Sequence, residues 1–135
     1  MVAKLAVLVS GGGTNLQALI DYEKSEKDCP YHIAVVMSDH KDAYALVRAQ
    51  NASIPTEIVS PYAVMGADVA KSASREEKRE AVSNKVLENC KKYGVQGIVL
   101  AGWLTVNSGN LINAFYGRMI NLHPALLPKF GGVGM

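Results

Sequence analysis

An open, doubly wound, mostly parallel α/β sheet is the architecture this sequence predicts, and three observations carry the prediction. Short apolar runs alternate with segments of helical period along the whole chain. Successive apolar runs are spaced widely enough to hold a crossover helix, which parallel strands require and hairpins do not. Glycine-rich or polar loops close several of those runs, where the ligand crevice of such a sheet lies, beyond the carboxyl ends of its strands.

The first strand is the apolar run of residues 5–9, closed by Ser10 and three glycines, and its lack of alternation marks it as buried on both faces. A helix follows at once: Thr14 with Gln17 reads as a capping box, and Leu16, Leu19 and Ile20 fall on one face. Residues 33–37 form the second strand. A helix over 43–50 then leads to a shorter third strand at 56–59. Residues 60–73, with Pro61, Gly66 and no stable period, read as an irregular surface loop. Ser74 with Glu77 makes a second capping box, and Val82, Val86, Leu87 and Cys90 recur at helical spacing until Lys91, Lys92 and Gly94 end the helix. The mixed charges from Arg75 to Glu80 suit a solvated face. Residues 96–101 are the fourth strand, 111–115 a short helix, and 118–122 the fifth strand.

The chain has 135 residues, 49% hydrophobic and 19% charged, which fits one globular domain over residues 1–135. Fourteen Lys and Arg against twelve Asp and Glu give a net charge of +2, too little for a broad field toward nucleic acid or membrane. Any anion must therefore be bound locally. Cys29 and Cys90 lack metal-ligand spacing and read as free thiols, one a buried hydrophobe and one a loop residue. With no signal peptide and no long apolar run, the chain reads as cytoplasmic.

Three segments at strand ends carry candidate chemistry. The loop Ser10, Gly11, Gly12, Gly13, Thr14, Asn15 joins a buried strand to a helix N-terminus, where free N–H groups and the macrodipole favour a phosphate. A tight turn in which glycine only relieves sterics is the plainer alternative. A dinucleotide fingerprint would need glycine where Leu16 stands, although Asp39 ends the second strand at a suggestive distance; the Gly-Lys-Ser/Thr of a P-loop is absent. A phosphate monoester fits better. Asn121 and His123, two apart at the end of the fifth strand, would share a face, and an amide with an imidazole suits a carbonyl that becomes an oxyanion. Taken singly, His123 could be a satisfied half-buried histidine, but paired buried polar groups are harder to explain by packing. His32 and His40 read as surface residues. The segment Gly102 to Asn107 reads equally as packing beneath the sheet or as an apolar wall with open backbone groups for a flat heterocycle.

The runs Ser10 to Ala18 and Asn121 to Lys129 resemble the glycinamide ribonucleotide formyltransferase family of purine biosynthesis. The likeness extends to Ser38–Asp39, Ser74–Glu76 and Leu100–Trp103. It implies a Rossmann-like formyltransferase fold, of which this chain is the N-terminal part. It further implies transfer of a formyl group from 10-formyltetrahydrofolate, the co-substrate, to the amine of glycinamide ribonucleotide, with no metal. By that resemblance Gly13, Thr14 and Asn15 hold the substrate phosphate; Arg75, Leu104, Thr105, Val106, Asn107 and Asn121 contact the folate; and His123 with Asn121 is catalytic. The implied partners are these two small molecules, with no nucleic acid and no membrane, and a homodimer is compatible with them.

The sequence departs from the family in two respects. Thr105 stands where many members carry arginine. The family's domain also continues beyond residues 131–135 with further strands, a carboxylate that tunes the histidine and an acidic residue for the ribose, so the chain is expected to lack a C-terminal portion and to leave the fifth strand as an edge. Three rival functions follow: a non-catalytic phosphate- or nucleotide-binding fragment, a formyltetrahydrofolate hydrolase, and an NAD-dependent oxidoreductase that Leu16 disfavours.

Overall fold

The apolar runs pair as the spacing predicts. A computed structural model of the protein describes residues 2–105 and 107–122, and in it five strands make one sheet in the order β3-β2-β1-β4-β5. β1 (Ala3–Val9), β2 (Tyr31–Ser38), β3 (Thr56–Ile58), β4 (Gly97–Ala101) and β5 (Met119–Leu122) are all parallel to their neighbours. The chain first winds outward from β1 through β2 to β3, then returns to the other side of β1 for β4 and β5. The direction of winding reverses between β1 and β4, so the crevice of a doubly wound sheet opens at their carboxyl ends.

Central strands buried on both faces explain the unbroken apolar runs: every residue of β4 is buried, as are Ala6 to Val9 of β1. Alternate residues feed two cores. Ala6, Leu8, Val35, Met37, Ile98 and Leu100 pack with Val82, Val86 and Cys90 of α5 (Arg75–Lys92) and Leu111 of α6 (Gly109–Ala114). Val7, Val9, Val36, Val99 and Ala101 pack on the opposite face with Leu16 and Ile20 of α1 (Thr14–Ser25) and Ala45 and Ala49 of α2 (Tyr44–Asn51). One irregularity interrupts this alternation. Leu5 pairs with Ile33 but Ala6 pairs with Val35, so Ala34 is an extra residue that bulges from β2.

Two local expectations are overturned. Residues 60–73 are no irregular loop but two short helices, α3 (Pro61–Met65) and α4 (Ala67–Ser72). Ser60 caps α3 by accepting the Ala63 N–H at 3.1 Å, Pro61 sits in its first turn, and Gly66 at φ +88° turns the chain before α4. Helices of five and six residues are too short to show a period. The Thr14 capping box does not form either: Gly13, in the left-handed region at φ +79°, occupies the N-cap position, and the Gln17 amide turns outward to Asp21 at 2.9 Å. The Ser74 box does form, with Glu77 accepting the Ser74 N–H at 2.7 Å and Ser74 accepting the Glu77 N–H at 3.1 Å. Among the described residues both cysteines are free; Cys90 is buried, which pushes its thiol up to about 12 and keeps it protonated.

Candidate functional site

The glycine loop leaves the end of β1 and is clamped by α2. Ala45 N–H donates to Gly11 O at 3.1 Å, Arg48 Nε to Gly12 O at 2.7 Å, and the Arg48 guanidinium also reaches Gln17 Oε1 at 3.2 Å. Gly13 is the point of closest approach: a Cβ built there would lie 2.6 Å from the Ala45 Cβ, well inside van der Waals contact. Glycine is thus demanded twice, by left-handed backbone and by packing. The clamp consumes the carbonyl groups of Gly11 and Gly12, while the N–H groups of residues 11–15 donate to no acceptor among the described residues. Those donors, the positive end of a twelve-residue helix and the Arg48 charge together favour an anion over a cation or a neutral ring.

Beside it, the loop that follows β4 is tied to the same strand end. Ser10 N–H donates to Gly102 O at 3.1 Å, and Ser10 Oγ accepts the Leu104 N–H at 2.9 Å. The two alternatives for this loop are divided between its residues. Trp103 is buried in the core and its indole N–H donates to Asn107 Oδ1 at 3.0 Å, whereas Leu104 is 78% exposed. Leu104 and Thr105 line a cleft of about 220 Å³ together with Pro61 and with Arg75, Lys78, Arg79 and Val82 of α5. Apolar lining beside three cations suits a flat ligand with an acidic end.

β5 brings Asn121 to this region by register. Leu8 pairs with Leu100 and Leu100 with Asn121, so the three are level across the sheet, one residue below the end of β1. Asn121 shares the sheet face of Met119, whose sulfur lies 3.9 Å from the Asn107 amide nitrogen. Asn121 itself is exposed. Gly13, Thr14 and Asn15 thus follow β1, Leu104, Thr105 and Asn107 follow β4, and Asn121 is next to last in β5, at the carboxyl ends of three adjacent strands, while Arg75 shares a cleft with Leu104 and Thr105. Val106 and His123 lie outside the described residues, as does the run 124–135. His32 and His40 have exposed side chains, as expected.

Two features of the site were not legible in the residues. Lys78 and Arg79 read as part of a solvated charged face, although their offsets of three and four from Arg75 place them on its helical face. In the sequence Asp39 offers only a partial match to a dinucleotide fingerprint. In the structure it is buried, and its carboxylate accepts a hydrogen bond from the Thr105 hydroxyl.

The sheet order defines a doubly wound α/β protein whose topological switch point lies between β1 and β4. The chain belongs to the formyl transferase family: the family model described as Formyl transferase matches residues 3–135. A phosphoribosylglycinamide formyltransferase of Haemophilus influenzae is 38% identical over 130 residues, covering 96% of this chain and 55% of that protein. The enzyme of the same name from Saccharomyces cerevisiae is 35% identical, over 97% of this chain and 63% of its own length. The structure of glycinamide ribonucleotide transformylase 1 from Symbiobacterium toebii superposes with a TM-score of 0.76 at 37% identity, over 98% of this chain and 56% of that one. The chain thus spans little more than half the length of the first of these relatives.

Proposed function

We propose that this chain takes part in formyl transfer from 10-formyltetrahydrofolate to the amine of glycinamide ribonucleotide, a step of purine biosynthesis. The observation that carries the reading is the hydrogen-bonded junction at which Ser10, at the head of the loop that leads to Gly13, Thr14 and Asn15, holds Gly102 and Leu104, in a chain whose relatives bear the name of that activity. Glycinamide ribonucleotide ends in a phosphate monoester, which suits the free N–H groups of the cradle. The folate combines a flat ring with an acidic tail, and a cleft lined by Leu104, Thr105 and Val82 beside Arg75, Lys78 and Arg79 fits that combination.

The folate supplies the formyl carbon. With the phosphate held at the cradle, the substrate amine is confined to the crevice, and confinement of the two reactants supplies much of the rate. As the amine adds to the formyl carbon, a negative oxygen develops. The Asn121 amide donates to that oxygen, and His123 as imidazolium adds charge and delivers a proton to the departing folate nitrogen, while the new amide nitrogen loses one. The role of His123 rests on the resemblance and that of Asn121 on its place at the strand end.

The test supplies the chain with both substrates and follows folate absorbance. Transfer that requires both substrates supports the reading; formate released without glycinamide ribonucleotide would mark a hydrolase. In a chain extended to the length of its relatives, His123→Ala should reduce transfer at least a thousandfold and leave inorganic phosphate binding unchanged. Equal turnover would remove His123 from the chemistry.

A further inference from the structure

Asp39 is the one buried carboxylate among the described residues, and nothing in the formyl transfer reading uses it. Its residue is 6% exposed. One oxygen accepts the Thr105 hydroxyl; the other, Oδ1, has no hydrogen-bond partner among the described residues, and the imidazole nitrogen Nε2 of the exposed His40 is 3.8 Å away. A carboxylate taken from water with half its acceptors unused costs free energy, and a neutral side chain would fill the same space more cheaply. Packing alone does not explain it.

Its place in the topology does. Asp39 follows β2 and Thr105 follows β4, strands that are separated by β1. Their bond passes over the end of β1, where Ser10 anchors the same loop from below through Gly102 and Leu104. The loop is then held from two strands at once. The bond also sets a direction: a carboxylate can only accept, so the Thr105 hydroxyl must donate to it and keeps its lone pairs for the cleft shared with Arg75 and Leu104.

We propose that Asp39 is a positioning residue, which fixes the stretch from Gly102 to Thr105 through the Thr105 hydroxyl and makes Thr105 an acceptor, never a free donor, toward a ligand in the cleft. This rests on the reading of that cleft as the folate side of the site. Ligand N–H groups are accepted at Thr105, and a ligand carboxylate is turned away from it toward the α5 cations.

Trp103, the single tryptophan of the chain, reports on this loop without any ligand. Acrylamide quenching of its fluorescence should rise about twofold in Asp39→Ala and in Thr105→Val, and the double variant should be no worse than either single one. Thr105→Ser and Asp39→Asn, which keep a hydroxyl donor and an oxygen acceptor, should quench as the parent does. In a folate titration followed by the same fluorescence, Asp39→Ala and Thr105→Val should weaken binding about tenfold, with recovery in Thr105→Ser. Unchanged quenching in Thr105→Val, which preserves side-chain shape, or additive effects in the double variant, would overturn the proposal. A parent chain that gives no folate response would sink the functional reading, while the quenching comparison still decides the role of Asp39 in the loop.

Discussion

Gly13 shows how much a single residue can decide. Its left-handed backbone turns the chain from β1 into α1, and the absent side chain lets Ala45 close against it, so the cradle and the clamp depend on the same atom not being there. Gly13→Ala should therefore cost about 2–4 kcal/mol, the sum of an unfavourable φ and an overpacked contact. Urea unfolding measures that loss, and phosphate, which should raise the melting temperature of the parent, should no longer do so in the variant. Replacing Asn15 by Phe tests the ligand side alone: stability should change little, while KM for glycinamide ribonucleotide should rise at least tenfold in the extended chain. The glycine run was readable as a turn from strand into helix from residue types alone. The identity of the N-cap was not, because Thr14 and Gln17 satisfy the capping pattern in sequence, and only the approach of α2 shifts the helix start to Gly13.

Among the elements, the strands and long helices were legible because each carries an apolar period, and α5 also carries its capping box. What escaped were segments whose signal is too short or is set by distant partners. α3 and α4 are examples, and so is the junction of β3 with the end of α5. There Glu57 accepts the Tyr93 hydroxyl at 2.7 Å and the Lys92 ammonium at 3.2 Å. The Tyr93 hydrogen bond first, and then Lys92, hold the Glu57 carboxyl below its usual 4.5 despite partial burial. A carboxyl lowered by folding adds stability that is full above 4.5 and is lost as pH falls through its folded value. Tyr93→Phe should accordingly cost about 1 kcal/mol at pH 7, and the gap from the parent should narrow in acid unfolding measurements. A gap that widens below pH 4.5 would contradict this arrangement.

At the scale of the molecule, winding order decides where chemistry can occur. The chain goes out from β1 and comes back beside it, and this leaves the loops after β1 and β4 facing each other with no helix between them. Alternation of strand and helix made the doubly wound class readable, and strand ends pointed to the loops. The strand order and the crossing of Asp39 to Thr105 were not readable, since they arise from pairing between distant segments. Neither was the bulge at Ala34, because simple alternation puts Ile33, Val35 and Met37 on one side, whereas Ile33 packs with Val36 on the other.

That bulge makes β2 tolerant in one place and intolerant elsewhere. Since Ala34 is surplus to the pairing, a chain lacking it would run from Ile33 into Val35 as a regular strand, with every later residue still facing its own core. Removal of Ala34 should leave the circular dichroism and the Trp103 emission close to those of the parent, whereas removal of Val36 turns over the stretch that leads to Asp39 and should unfold the chain. Length variation among natural homologues ought to collect at this position, a small slack in the weave that lets one thread shorten without inverting the pattern beyond it.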